Sequence, residues 1–260
     1  MTDFPQGSVW LVGAGPGDPE LLTRKAERLM RQADVVFYDA LVSEQILDLI
    51  PPNVARAPVG KRAGRHSVPQ PMICDMIVRA AQSGQRVVRL KGGDPSIFGR
   101  ANEEIDACRD AGIRLQVCAG VTTASAAAAE IGTSLTTRGL ARRLTFVTAH
   151  TKSGVVPDLD WAALADPQAT IAVYMGKAAA AGIAKGLIEA GLAPDTPVSL
   201  LENVSMPNAN QFHTRLDTLP LAAQSALGDG PAIILIGEAM RHAKPEDLYQ
   251  EVERAIQDKT

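Results

Sequence analysis

The sequence predicts an α/β protein built as two α/β domains, and three observations carry that prediction. Short continuous apolar runs, the mark of strands buried on both faces, alternate with stretches whose apolar residues recur at intervals of three and four. The alternation persists down the chain, which predicts a parallel-rich architecture. It pauses once, near Val117–Gly120, in the small-residue run VCAGVTTASAAAA. Dividing the chain there gives domains of similar size, 1–118 and 119–260.

Each element has its own warrant. SVWLVG (8–13) is a first buried strand. Leu22, Ala26, Leu29, Met30 and Ala33 then share one helical face, with Arg24, Lys25, Arg28 and Arg31 opposite. ADVVFYDALV is a second strand, followed by a helix over about 69–83, the strand RVVRL (86–90), a helix near 100–111 and the strand IRLQVC (113–118). The later half continues with strands LTFVTAH (144–150) and TIAVYM (170–175) and a helix over 177–190. Strand TPVSLLEN (196–203), a helix near 219–226 and strand AIILIG (232–237) complete it.

Bulk properties narrow the function. Hydrophobic residues at 46% and charged residues at 21% describe an ordinary soluble globular chain rather than a disordered one. The net charge of −3 provides no basic field for nucleic acid or an anionic membrane, so any anionic ligand must be held by a local cluster of cations. No run of 18 apolar residues is present to span a membrane. The start, MTDFPQGSVWLVG, does not read as a signal peptide. Cys74, Cys108 and Cys118 are odd in number and lack CxxC spacing, so they read as reduced thiols of a cytoplasmic protein, with no metal site.

Two glycine loops follow strands directly. Gly13-Ala-Gly-Pro-Gly-Asp18 resembles a dinucleotide loop but spaces its glycines as G-x-G-x-G, and Pro16 removes an N–H that a pyrophosphate would use. A Rossmann-type oxidoreductase loop and a plain strand-to-helix turn both remain open for this segment. Gly92-Gly93-Asp94-Pro95 lets main chain approach a ligand at a strand end, and Asp94 can accept from ribose hydroxyls or face a cation. Acids in both loops suit a nucleoside without phosphates, such as S-adenosylmethionine, although turn chemistry selects the same residues.

Taken together, VGAGPGDPELLT (12–23), VVFYDALVS (35–43), GKRAGRHSVPQ (60–70), RVVRLKGGDPSIFGR (86–100), TFVTAH (145–150) and VYMG (173–176) resemble the tetrapyrrole methyltransferases. Within that family the chain is most similar to members acting on uroporphyrinogen III. The resemblance implies the tetrapyrrole methylase fold, S-adenosylmethionine held in a cleft between the two domains, a homodimer, and no metal. It carries cofactor contact onto Pro16, Gly92, Gly93, Asp94, Ile97, Thr122, Thr123, Met175, Val204 and Ala232. Asp39 and Lys61 fall at positions proposed as proton acceptor and donor. Arg100, Glu103, Arg138 and Met175 fall where the tetrapyrrole is held, with Arg100 also a proposed base. Ala101-Asn102, Ala119 and Thr137 depart from the family's usual residues.

The residue types suit that chemistry. The substrate is fringed with carboxylates, which arginine grips in bidentate fashion. Arg56, Lys61, Arg62 and Arg65 form one candidate cluster; Arg138, Arg142 and Arg143 form another. Asp39 is the simplest base for the proton that must leave the macrocycle, and Arg100 reads better as a carboxylate clamp. His150 is either a proton-transfer group or a capped strand-end histidine, and Met175 packs on a ligand or in the core.

Overall fold

The computed structural model describes residues 4–60, 68–149 and 159–242, and the chain divides into two compact units, Met1–Thr123 and Ala124–Thr260. In the first unit, strands β1 (Val9–Gly13), β2 (Val35–Tyr38), β3 (Ala55–Pro58), β4 (Val87–Lys91) and β5 (Leu115–Cys118) form a sheet in the order β3-β2-β4-β1-β5. Every neighbouring pair is parallel. The three inner strands are buried along their whole length, which is why they read as unbroken apolar runs.

Helices cover both faces. Helix α1 (Arg24–Gln32) starts at Thr23, whose hydroxyl accepts from the Ala26 N–H at 3.1 Å, and turns Ala26, Leu29 and Met30 inward. With the short helix α2 (Glu44–Leu47), it packs on Trp10, Val12, Val36, Val88 and Leu90. Against the other face lie helices α3 (Gln70–Gln82) and α4 (Ala101–Asp110), whose Ile73, Ile77 and Cys108 meet Val9, Val35, Phe37 and Val87. Burial pushes the Cys108 thiol up to about 11. All three cysteines are unpaired thiols.

The second unit opens with helix α5 (Thr123–Glu130), which begins on the last residue of the first and buries Ala124 and Ala126–Ala128. Its sheet runs β6 (Arg143–Thr148), β7 (Ala169–Tyr174), β10 (Ala232–Ile236), β8 (Pro197–Glu202), β9 (Asn210–Arg215). Helices α6 (Trp161–Leu164), α7 (Ala180–Glu189) and α8 (Leu219–Ser225) accompany it, α7 and α8 sharing the core with Ile171, Leu200 and Ile234. Here the parallel-rich expectation needs correction. Only β6 and β7 pair in parallel; β7–β10, β10–β8 and β8–β9 are antiparallel. The strand NQFHTR returns directly from β8 through a tight connection, and such a short link can join only antiparallel neighbours. Among the described residues, no helix is long and apolar enough to cross a membrane.

The two glycine loops of the first unit are closed by main chain. Gly15 and Gly93 exchange hydrogen bonds of 3.1 and 2.7 Å, and the Ala14 N–H donates to the Lys91 carbonyl at 2.8 Å. Gly120, just beyond β5, lies so close that a Cβ there would sit 2.3 Å from the Gly93 oxygen and 2.8 Å from the Gly13 Cα. Three strand ends therefore touch backbone to backbone, which only glycine permits. Gly120→Ala is expected to lower unfolding free energy by about 2 kcal/mol or more, because the neighbouring atoms of Gly93 and Gly13 are main chain and cannot rotate away. Urea denaturation checks this; a wild-type midpoint would refute the contact.

Candidate functional site

In a parallel sheet all strands end on one side, and ligands bind beyond those ends. The described cofactor, acid–base and clamp candidates of the first unit lie there; Arg56, inside β3, does not. Pro16 follows β1, Asp39 follows β2, and Gly92, Gly93, Asp94, Ile97 and Arg100 follow β4. Glu103 is in the first turn of α4, and Thr122 and Thr123 follow β5. Residues spread over more than a hundred positions thus form one rim. Lys61, Arg62, Arg65 and His150 lie outside the described residues.

The rim is stapled by its acids. Asp94 accepts from the Ser96 N–H at 2.8 Å and from the Ser96 hydroxyl with one oxygen, and from the Gly120 N–H at 2.9 Å with the other. It ties the loop after β4 to the loop after β5. Asp18 takes the Glu20 N–H at 2.8 Å, capping the turn that follows the first glycine loop. Both carboxylates carry a turn role besides any contact with a ligand, and neither loop offers the cationic cradle of a phosphate site. Thr123 faces Gly93, where a Cβ would stand 3.8 Å from its hydroxyl.

Between β4 and α4 the chain adopts left-handed backbone at Phe98 (φ 51°) and Arg100 (φ 55°), costly for residues with side chains and typical of functional segments. Arg100 caps α4 and grips Glu103 with both arms, Nε to Oε1 at 2.7 Å and a terminal nitrogen to Oε2 at 2.8 Å. That pairing holds Glu103 below its ordinary carboxylate range and Arg100 above its ordinary value. A guanidinium so placed keeps its proton and acts as a cation. The pair is solvent-facing, so it adds little to stability.

Behind the rim lies a group of residues that the sequence reading did not single out. Glu104 is completely buried and accepts from Lys91 Nζ at 3.0 and 3.1 Å, Arg89 Nε at 3.1 Å and Gln70 Nε2 at 3.0 Å. Burial, followed by the Arg89 charge, pushes Lys91 below its ordinary value against the pull of Glu104. The signal was present in the sequence: Val87, Arg89 and Lys91 alternate on one face of an otherwise apolar strand, and two buried cations demand an acid.

In the second unit, Met175 follows β7, Val204 follows β8 and Ala232 opens β10. Because β10 runs antiparallel to both neighbours, with Ile233 opposite Tyr174 and Ala232 opposite Glu202, all three candidates gather at one edge of that sheet. This edge is also strained: Met175 (φ 55°), Asn203 (φ 53°) and Ser205 (φ 62°) are left-handed. Buried Glu202 holds the turn before β10 by accepting from the N–H groups of Gly228 at 2.8 Å and Gly230 at 2.7 Å. Arg138 stands apart, at the tip of a hairpin closed by Thr137 and Ala141 that leads into the N-terminal end of β6, opposite the Met175 edge. Two other arginines of the candidate clusters have internal partners: Arg56 donates to the Ile50 carbonyl at 2.8 Å and lies near Asp48, and Arg143 pairs with Asp166.

Comparison with known proteins shows the family. Residues 8–220 match the family model of the tetrapyrrole (corrin/porphyrin) methylases. The chain is 46% identical over 248 residues to a uroporphyrinogen-III C-methyltransferase of Paracoccus denitrificans, covering 94% of this chain and 86% of that protein. It is 44% identical over 236 residues to a siroheme synthase of Gluconobacter oxydans, where it covers 91% of this chain but spans only 50% of the relative. Among solved structures, uroporphyrin-III C-methyl transferase of Thermus thermophilus complexed with S-adenyl homocysteine superposes with a TM-score of 0.77 at 39% identity, covering 90% of this chain and 99% of that one.

Removing Glu104 would strand two buried cations. Glu104→Leu is expected to cost about 3–5 kcal/mol in denaturant unfolding. A loss below about 1 kcal/mol, the range of an exposed pair, would contradict the burial described.

Proposed function

The chain belongs to the tetrapyrrole methylase family, and on that premise we propose that it is a uroporphyrinogen-III C-methyltransferase. It would move two methyl groups from S-adenosylmethionine to C2 and C7 of uroporphyrinogen III, giving precorrin-2 by way of precorrin-1. The observation that carries this reading is the strand-end rim, where main chain, acid and arginine from four separate loops meet at one sheet edge.

The rim fits a cofactor lacking phosphates, since its two glycine loops present main chain and the carboxylates of Asp18 and Asp94. When bound, S-adenosylmethionine supplies an electrophilic methyl on a sulfonium. Pro16, Gly92, Gly93, Asp94, Ile97, Thr122 and Thr123 would hold it, and the family resemblance assigns Met175, Val204 and Ala232 to the same cofactor. Arg100, aided by Glu103 and Met175, would fix the carboxylates of the macrocycle; Arg138, at the opposite end of β6, is assigned to it by the resemblance alone. Transfer of that methyl to a pyrrole carbon would leave the macrocycle with a positive charge to be shed as a proton. Asp39 removes the proton that restores neutrality, and Lys61 is assigned the donor role. Positioning of the two partners supplies much of the rate. The resemblance further supports a cytoplasmic homodimer.

Incubation with uroporphyrinogen III and labelled S-adenosylmethionine is expected to give a product carrying two added methyls by mass. No methylation of uroporphyrinogen III, with methylation of a later corrin precursor, would favour the neighbouring activity in the same family and overturn this one. Arg100→Lys loses the bidentate grip, so kcat/KM for the tetrapyrrole should fall roughly ten- to a hundredfold while S-adenosylhomocysteine binding persists. Wild-type turnover would remove the clamp role.

A further inference from the structure

The Arg89 guanidinium has more contacts than the neutralisation of Glu104 requires. Its Nε donates to Glu104 at 3.1 Å and one terminal nitrogen donates to the Leu90 carbonyl at 2.8 Å. These two bonds fix the plane of the group, and its other terminal nitrogen then faces Asp39 Oδ2 at 3.7 Å. Lys91 alone already supplies Glu104 with a cation at 3.0 Å. The edge of Arg89 turned toward Asp39 is therefore surplus to the buried pair.

Asp39 is held from the other side as well. Its second oxygen accepts from the Leu41 N–H at 3.1 Å, and Gly60 packs so tightly on its main chain that a Cβ there would lie 2.8 Å from the Asp39 Cα. The carboxylate is fixed at one oxygen by main chain and opposed at the other by a buried charge, while its side chain keeps 23% exposure. That combination, anchored but reachable, is what a proton acceptor needs.

We propose that Arg89 is a positioning residue for Asp39, oriented by Glu104 so that helix α4 and the end of β2 are set relative to each other through one guanidinium. The inference rests on the reading of Asp39 as the proton acceptor, and it adds the means by which that carboxylate is aimed. Arg89 touches neither reactant; it acts through Asp39.

A double-mutant cycle tests it on the full chain. Asp39→Asn should lower kcat at least about a hundredfold. Arg89→Met, which leaves Lys91 and Glu104 as a balanced pair, should lower kcat at least about tenfold, with KM for the tetrapyrrole and S-adenosylhomocysteine binding within about twofold of wild type. Added to Asp39→Asn, Arg89→Met should lower kcat no further, because the group it aims is gone. Multiplying losses, or wild-type kcat in Arg89→Met, would overturn the positioning role while leaving Asp39 as acceptor. Wild-type turnover in Asp39→Asn would overturn the acceptor reading itself, and the inference with it. Should Arg89→Met fail to fold, Arg89→Lys is read in the same cycle, since it keeps the charge but cannot serve three partners at once.

Discussion

A completely buried carboxylate, Glu104, determines much of what stands around it. Two cations enter the core on β4 because Glu104 meets them there, and Glu104 lies in the core because α4 begins immediately beyond the loop that β4 feeds. Such a cluster gains little over apolar packing in stability, but it has one arrangement and tolerates no half-occupied version. Its value is orientation. Arg100 and Glu103 on the outer side of the first turn of α4, and Asp39 at the end of β2, are all referred to the same internal charge.

Much of the architecture was legible because the inner strands are buried on both faces. VWLVG, VVFY and VVRLK announce themselves as strands whatever surrounds them. What escaped the reading was the periphery. The strand Ala55–Pro58 is mostly exposed, and Asn210–Arg215 is an edge strand of largely polar residues, so neither has the apolar run that marks an inner strand. With the second of these strands the antiparallel pairing of β8 and β9 also went unread, since a missed hairpin partner removes the evidence for an antiparallel turn.

The candidate site divides the same way. Glycine, proline and acid after a strand are visible in any sequence, and the loops they form do reach one rim in the first unit. Their partners were not visible. That Asp94 serves Gly120, twenty-six residues away, and that Glu202 serves Gly228 and Gly230 depends on which loops the sheet order brings together. The same order separates the hairpin of Arg138 from the edge where Met175, Val204 and Ala232 gather, a distinction that residue type cannot express.

The contact of Gly13, Gly93 and Gly120 has a mechanical meaning. Loops that touch only through side chains can shift one at a time, as rotamers yield. Here the touching atoms are peptide groups, which have no rotamers, so the glycines at the ends of the first, fourth and fifth strands form a single stiff collar. Adaptation to differently shaped guests must then come from elsewhere: from the turn after the second strand or from the left-handed stretch that leads to Arg100.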